Sequence, residues 1–496
     1  MQLALTARGR RSASSSFFAK NRGTIISLLA TCAILFLFQV GSHITAPMIE
    51  RRTASNLSGL AQLLNLFGGG GFRRASIFSV GISPYITAQI IIQLMSNDLV
   101  KKLNELRKAG ELGRVKLELY TRLLTMPFAI ITSLGTLYLL NNEGVSFKYL
   151  WEPEPVDPTL ERVDADASSN LKGGAQFITL GKLPFIQQAL MVLVFVTGTY
   201  IALFLSDLIS KKGLGNGISL LIVSGIISSL PENFYNSYKF LASFEGGTEN
   251  IQLLMNIFKF SIYVFFYIVV IALMVFINGS VRRIPIQQIG AGLILDKRKL
   301  GYLPFKLMPV GIMPVVFSGS IMILPVGIAE ISKSASPGFN AFIQEYISFG
   351  SSTGLLIYFC LIVLFSFLYC QVQFNTDEMC RSFQKSAQFI PGIMIGQETH
   401  NYIKMVLNKI NWLGAPMLGL VTIMPNLLNI WTGLPSQIAF GGTGMLLLVS
   451  TALNVYEELL STHIITKYKA EQEQELHSLE ERLYSTGLKP SPYLLW

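Results

Sequence analysis

The sequence predicts an all-α membrane protein of ten transmembrane helices, arranged as two pseudo-symmetric five-helix halves of opposite topology. Three observations predict it: an apolar composition, apolar runs near twenty residues that recur along the chain, and Gly/Pro interruptions at matching places in the two sets of five. Of 496 residues, 51% are hydrophobic and only 14% charged, and the mean hydropathy is +0.49. A soluble globular chain carries about a quarter charged residues, so an ordinary cytosolic enzyme is excluded. Each run is long enough to cross a hydrocarbon core about 30 Å thick. The runs far exceed a barrel strand and do not alternate in polarity, so they are helices.

Residues 1–24 are basic and Ser-rich, with Arg8, Arg10, Arg11, Lys20 and Arg22. The run that follows, Ile25 to about Val40, lacks a small-residue cleavage pattern and is read as a retained first span. Spans are expected near 25–45, 76–96, 119–140, 184–206, 215–231, 258–278, 308–328, 354–372, 411–430 and 440–461. The chain then divides into a basic segment 1–24, a first half 25–232, a connecting segment 233–257, a second half 258–466 and a polar tail 467–496. The tail is helix-forming to about Tyr484.

Charge fixes the orientation. The even-numbered connections are basic: Lys101, Lys102, Arg107, Lys108, Arg114 and Lys116; Lys211 and Lys212; Arg282, Arg283, Lys297, Arg298, Lys299 and Lys306; Arg381, Lys385, Lys404 and Lys409. The odd-numbered ones lean acidic, above all 141–182, with Glu143, Glu152, Glu154, Asp157, Glu161, Asp164 and Asp166. The positive-inside rule places both termini in the cytoplasm. The basic loops suit topology alone, or docking of a large anionic partner (ribosomal RNA included) or of anionic lipids.

Other chemistry is missing. No P-loop pattern is present, so nucleotide hydrolysis by this chain is not expected. His43, His400, His463 and His477 stand alone without metal-ligand spacing, and no nucleophile–base pair is evident. Neither a metal nor a cofactor is expected. Cys32, Cys360, Cys370 and Cys380 are too few and scattered for a disulfide framework. Charges at membrane depth are nearly missing, whereas ion-coupled transporters usually keep an intramembrane acid or base. That favours a conduit.

The interrupted spans carry the functional signal. The second contains Gly81-Ile82-Ser83-Pro84 and the seventh Gly311-Ile312-Met313-Pro314. The fifth opens on Gly213-Leu214-Gly215-Asn216-Gly217 and the tenth on Gly441-Gly442-Thr443-Gly444. Broken helices are tolerated at membrane depth only beside protein or a water-filled cavity. Their paired placement predicts an internal repeat with a pathway between the halves. Two residues beyond each proline stands an aliphatic side chain, Ile86 and Val316. Either both are lipid- or helix-packing residues, or, with the halves meeting at a central passage, they converge as a narrow apolar collar that excludes ions by dewetting and yields around a passing chain. A secondary transporter with inverted repeats is the alternative, but it wants a polar substrate site at mid-membrane. The run Leu63–Phe72 ends in four glycines and is too short to cross, which suits a short mobile element on a flexible leash.

The stretch Gly70 to Leu94, GGFRRASIFSVGISPYITAQIIIQL, closely resembles the plug and second span of the SecY protein-translocation channel family. Gly213–Ser219, Arg282-Arg283-Ile284, Leu303-Pro304-Phe305-Lys306, Phe389-Ile390-Pro391-Gly392-Ile393 and Phe440-Gly441-Gly442-Thr443 match further family motifs in order. The resemblance implies an hourglass pore between halves hinged outside the membrane, in a bacterial cell membrane. It implies a pore ring of Ile82, Ile86, Ile222, Val316 and Leu447, and a plug of Asn65, Leu66, Phe67, Gly68, Gly69 and Gly70 within 65–72. It implies a lateral gate where spans two and three face spans seven and eight, with Thr87, Gln89 and Gln93 as polar latches. Arg282, Arg283, Lys297, Arg298, Lys299, Arg381 and Lys385 would dock a ribosome or the SecA motor ATPase, and SecE and SecG would be the small membrane subunits. The cargo is an unfolded nascent polypeptide. One departure stands out: Met394-Ile395-Gly396 follows Ile393 where the family usually has Arg-Pro-Gly.

Overall fold

The computed structural model describes residues 22–49, 64–65, 68–96, 100–142, 145, 147, 184–241, 250–288, 301–331, 337–347, 351–374, 376–394, 396–432 and 442–485. A helix occupies each of the ten expected intervals. These are α1 (Arg22–His43), α2 (Ser83–Leu94), α4 (Glu111–Asn142), α5 (Phe185–Lys212), α6 (Gly217–Leu241), α7 (Asn250–Gly279), α8 (Met313–Ile331), α10 (Ser352–Gln373), α12 (Gln397–Thr432) and α13 (Gly442–Ser485). Between them lie the shorter α3 (Lys101–Lys108), α9 (Pro337–Tyr346) and α11 (Thr376–Lys385). Among the described residues six helices are long and apolar enough to cross a membrane: α1, α4, α5, α6, α7 and α10. The chain is thus a largely helical, multi-spanning membrane protein.

One feature differs from the expectation. The interval 281–306, expected only as a basic loop, contains strands β1 (Val281–Gln288) and β2 (Gly301–Lys306). They pair antiparallel from Val281↔Lys306 to Ile286↔Gly301, and β1 also pairs with β3 (Gln388–Phe389). The helix expected in the tail to about Tyr484 is present and continuous with the last span: α13 runs unbroken for 44 residues, as far as Ser485. At 1.5 Å per residue it is about 66 Å long, roughly twice the hydrocarbon thickness.

The second and seventh intervals break alike. Gly81 and Gly311 both have positive φ (59° and 65°), a backbone region in which a Cβ is strained. Helix begins two residues later in each, at Ser83 and Met313, followed at once by proline. Proline suits a first turn, where its missing N–H has no intrahelical role. The opening bonds coincide: the N–H groups of Tyr85 and Ile86 donate to Ile82 O (3.1 and 3.2 Å), and those of Val315 and Val316 to Ile312 O (3.0 and 3.2 Å). A further contact repeats. A Cβ at Gly198 of α5 would collide with the Ile77 carbonyl, and one at Gly414 of α12 with the Leu307 carbonyl. Ile77 and Leu307 each lie seven residues before their proline, Pro84 and Pro314.

In the first set, α1 packs on α5 and α6, α5 on α4 and α6, and α2 on α4. In the second, α10 packs on α8 and α12, and α13 on α7 and α12. The sets meet along two seams. In one, α8 lies against α2 and α4; in the other, α6 lies against α7 and α13.

Replacing Gly198 or Gly414 with valine forces side-chain atoms into a backbone carbonyl. Overpacking of this kind costs about 1–3 kcal/mol. Thermal unfolding of the detergent-solubilised protein should show a lower Tm for Gly198→Val and for Gly414→Val. Gly279→Ala is the control, because a Cβ there meets nothing within 4 Å.

Candidate functional site

The proposed ring residues come from both sets: Ile82 and Ile86 at the start of α2, Ile222 on α6, Val316 on α8 and Leu447 on α13. Each is at most 5% exposed, and all five belong to one contiguous apolar cluster. Ile312, the conformational counterpart of Ile82, is in the same cluster at 8% exposure. The matching Gly-Ile-X-Pro strings carried the signal for Ile312, which the residue-by-residue reading passed over.

Leu64 and Phe72, at 2% and 0% exposure, bracket the plug segment and join that same cluster. The described part, Asn65 and Gly68 to Gly70, folds on itself. Gly68 N–H donates to Leu64 O (2.7 Å), Gly70 N–H to Asn65 O (2.8 Å) and Arg73 N–H to Asn65 Oδ1 (3.0 Å). Leu66 and Phe67 lie outside the described residues. The glycines serve close approach as well as turning. Gly69 and Gly70 have φ of 62° and 84°, and a Cβ on Gly69 would press into the Phe38 ring of α1.

Of the three polar latch candidates, Thr87 is buried and donates to Ser83 O of its own helix (3.1 Å), so it makes no bond across a seam. Gln89 is half-buried. The Gln93 side chain lies beside Tyr369 of α10, and its Oε1 is buried with no hydrogen-bond partner. Tyr369 in turn meets Phe317 of α8 edge-on, with ring centroids 5.1 Å apart. Gln93, Phe317 and Tyr369 therefore link α2, α8 and α10 on the seam where the two sets meet. A tyrosine within an apolar run gives no sequence signal for this role, since it reads as packing.

The basic residues form one unit. Arg282 and Arg283 are exposed on β1, and the Arg283 guanidinium sits 4.9 Å from the centroid of the Tyr302 ring. Arg381 and Lys385 are exposed on α11. A second apolar core of Ile284, Phe305, Phe383, Ile390 and Ile403, among others, lies beneath both regions. The β1–β3 pairing thus joins two basic connections distant in sequence. Lys297, Arg298 and Lys299 lie outside the described residues. At the neighbouring turn Met394 is 75% exposed, and its carbonyl accepts a 2.7 Å bond from Thr399 Oγ1. Arg122, inside the expected third span, is paired locally: its Nη2 lies 2.6 Å from both Glu118 Oε1 and Asp207 Oδ2. Among the described residues no group of three His, Cys, Asp or Glu is placed to hold a metal.

The fold is that of a protein-conducting channel. A solved structure described as a protein conducting channel superposes with a TM-score of 0.61 at 17% identity, covering 89% of this chain and 93% of that one. The canine Sec61 channel from a ribosome–channel complex gives 0.57 at 17% identity over the same shares. A family model for SecY matches residues 76–456. The protein translocase subunit SecY of Mycoplasmoides gallisepticum is 37% identical over 480 residues, covering 96% of this chain and 90% of that protein. SecY of Bacillus subtilis is 32% identical over 446 residues, covering 89% and 95%. The chain belongs to the SecY family. It is a multi-pass membrane protein that forms a protein-conducting channel with a lateral gate, and it is not an enzyme.

If Gln93 and Tyr369 hold the seam, Gln93→Leu and Tyr369→Phe should each lower the signal-sequence strength needed for export, and the double variant should add little. Export of a reporter behind graded signal sequences measures this. Additive effects would mean that the two residues act separately.

Proposed function

We propose that the ten helices are ten spans in two inverted halves, 25–232 and 258–466, joined by the external segment 233–257, with the basic segment 1–24 and the tail 467–496 in the cytoplasm. Unfolded polypeptide passes between the halves. Ile82, Ile86, Ile222, Val316 and Leu447 form the waist, and Asn65, Leu66, Phe67, Gly68, Gly69 and Gly70, within 65–72, form the plug that closes it. The observation that carries this reading is the burial of five aliphatic side chains from four helices of both sets in one cluster with the plug's flanks. An aliphatic constriction excludes ions because water is unstable in it, yet its side chains give way to a chain. A solute transporter would instead place polar or charged groups at such a centre.

The seam of α8 with α2 and α4 is the sideways exit, with Gln93 as a latch and Thr87 and Gln89 on the same helix. A segment leaves by preferring lipid. A central Leu or Ile favours lipid by about 0.3–0.6 kcal/mol, and a central charge opposes it by about 2.5–3.5 kcal/mol. The chain holds no nucleotide motif, so the driving force comes from synthesis, a motor or the membrane potential, worth about 2.3 kcal/mol per charge per 100 mV.

The joined basic unit supports docking of an anionic partner. Arg282, Arg283, Arg381 and Lys385 are its exposed residues, with Lys297, Arg298 and Lys299 in the β1–β2 connection. The ribosome is the partner that the fold's ribosome-bound relatives favour, with SecA as the post-translational motor, SecE and SecG as small subunits and anionic lipids at the basic membrane face. Ile86→Asn should raise ion leak through the resting channel and admit weaker signal sequences. Ion flux from proteoliposomes and export of a reporter with a crippled signal measure both, and unchanged values would remove Ile86 from the waist.

A further inference from the structure

The segment that fills the waist is held by more than apolar contact. Arg73 follows it directly. Its Nη2 lies 2.9 Å from Glu232 Oε1 in the second half of α6, with side chains 17% and 47% exposed. The Arg73 backbone N–H closes the segment on itself through Asn65 Oδ1 (3.0 Å). One residue thus ties the loop shut and anchors it to a helix. Seven residues earlier on α6, a Cβ on Gly225 would collide with the Gly69 backbone. Next to it, Ser224 Oγ accepts a 3.1 Å bond from Gln39 Nε2 of α1, the helix whose Phe38 ring lies against Gly69. The seat is therefore formed by α1 and α6, which pack on each other. The chain leading into α2 completes it, with Ser79 Oγ and the Ser76 N–H both donating to Gly71 O (3.3 and 3.0 Å), so the whole seat lies within the first set.

We propose that Arg73 and Glu232 are positioning residues that latch the plug to α6 and set how tightly the idle channel closes. The proposal rests on the channel reading above. Because the seat belongs to the first half alone, parting the lateral seam does not by itself release the plug. Release needs the ion pair to break or α6 to move. A partly shielded ion pair shifts such a closed–open equilibrium modestly, and its partners matter through their charge.

The test uses the complete translocase in proteoliposomes, with ion flux as the readout and export of a reporter as proof of assembly. Glu232→Gln and Arg73→Gln should each raise resting leak about fivefold, the change that follows from about 1 kcal/mol. Glu232→Asp should stay near the parent. The exchange Arg73→Glu with Glu232→Arg should bring leak back toward the parent, which a purely steric role of either residue would not do. Two results overturn the latch: single variants as tight as the parent while deletion of 65–72 leaks, or an exchange as leaky as the single variants. A deletion of 65–72 that also stays tight overturns the plug assignment on which the latch rests. Should the single variants fail to assemble, the exchange alone decides, and a leaky exchange sinks the proposal.

Discussion

A wall that must stop ions yet pass a polypeptide cannot be built from fixed polar groups, because groups that bind a chain also hold water and ions. The proposed waist meets this constraint with short aliphatic side chains alone. Ile82, Ile86, Ile222, Val316 and Leu447 are buried in one cluster. Such residues make no directional bond that a passing chain would have to break. They close by excluding water and reopen at the cost of dispersion contacts that the cargo replaces. The rest of the proposed mechanism depends on this choice, because a waist without its own charge leaves selection to the lateral seam and driving force to partners.

Two matching helix starts supply the geometry. Gly81 and Gly311 turn the backbone through positive φ in the same place relative to Pro84 and Pro314, and so set Ile82 with Ile86 and Ile312 with Val316 at equivalent points of two helix starts. Gly198 and Gly414 then let a neighbouring helix of each set press on the chain just upstream. A helix that begins inside protein rather than at a surface ends its backbone bonding there, which is tolerated because both starts are buried. The Gly-Pro strings therefore have a structural cause and a functional consequence in the same atoms.

Much of this was legible in the chain. Hydropathy marked ten intervals that each hold a helix, and six of those helices are long and apolar enough to cross a membrane. The repeated Gly-Ile-X-Pro strings located the helix starts, and symmetry alone singled out Ile86 and Val316. What escaped was whatever depends on distant pairing. The β1–β2 hairpin carries Pro285 and Pro304 within its strands, and proline argues against a strand when read locally. Tyr369 and Glu232 look like ordinary residues of an apolar run and a polar helix stretch, and only the partners brought to them, Gln93 and Arg73, give them a role. Thr87 illustrates the reverse: a polar residue in an apolar span suggests a latch, yet its hydroxyl is satisfied by its own helix.

The central claim is that a single aliphatic waist surrounds the moving polypeptide. It is tested most directly by arresting a nascent chain in the channel and placing a photoreactive side chain, one at a time, at Ile86, Ile222, Val316 and Leu447, and at the exposed Phe265 and Phe276 of α7. The account predicts adducts with the arrested chain from all four waist positions and none from the two on α7. Adducts missing from the waist, or formed equally at Phe265 and Phe276, would contradict it.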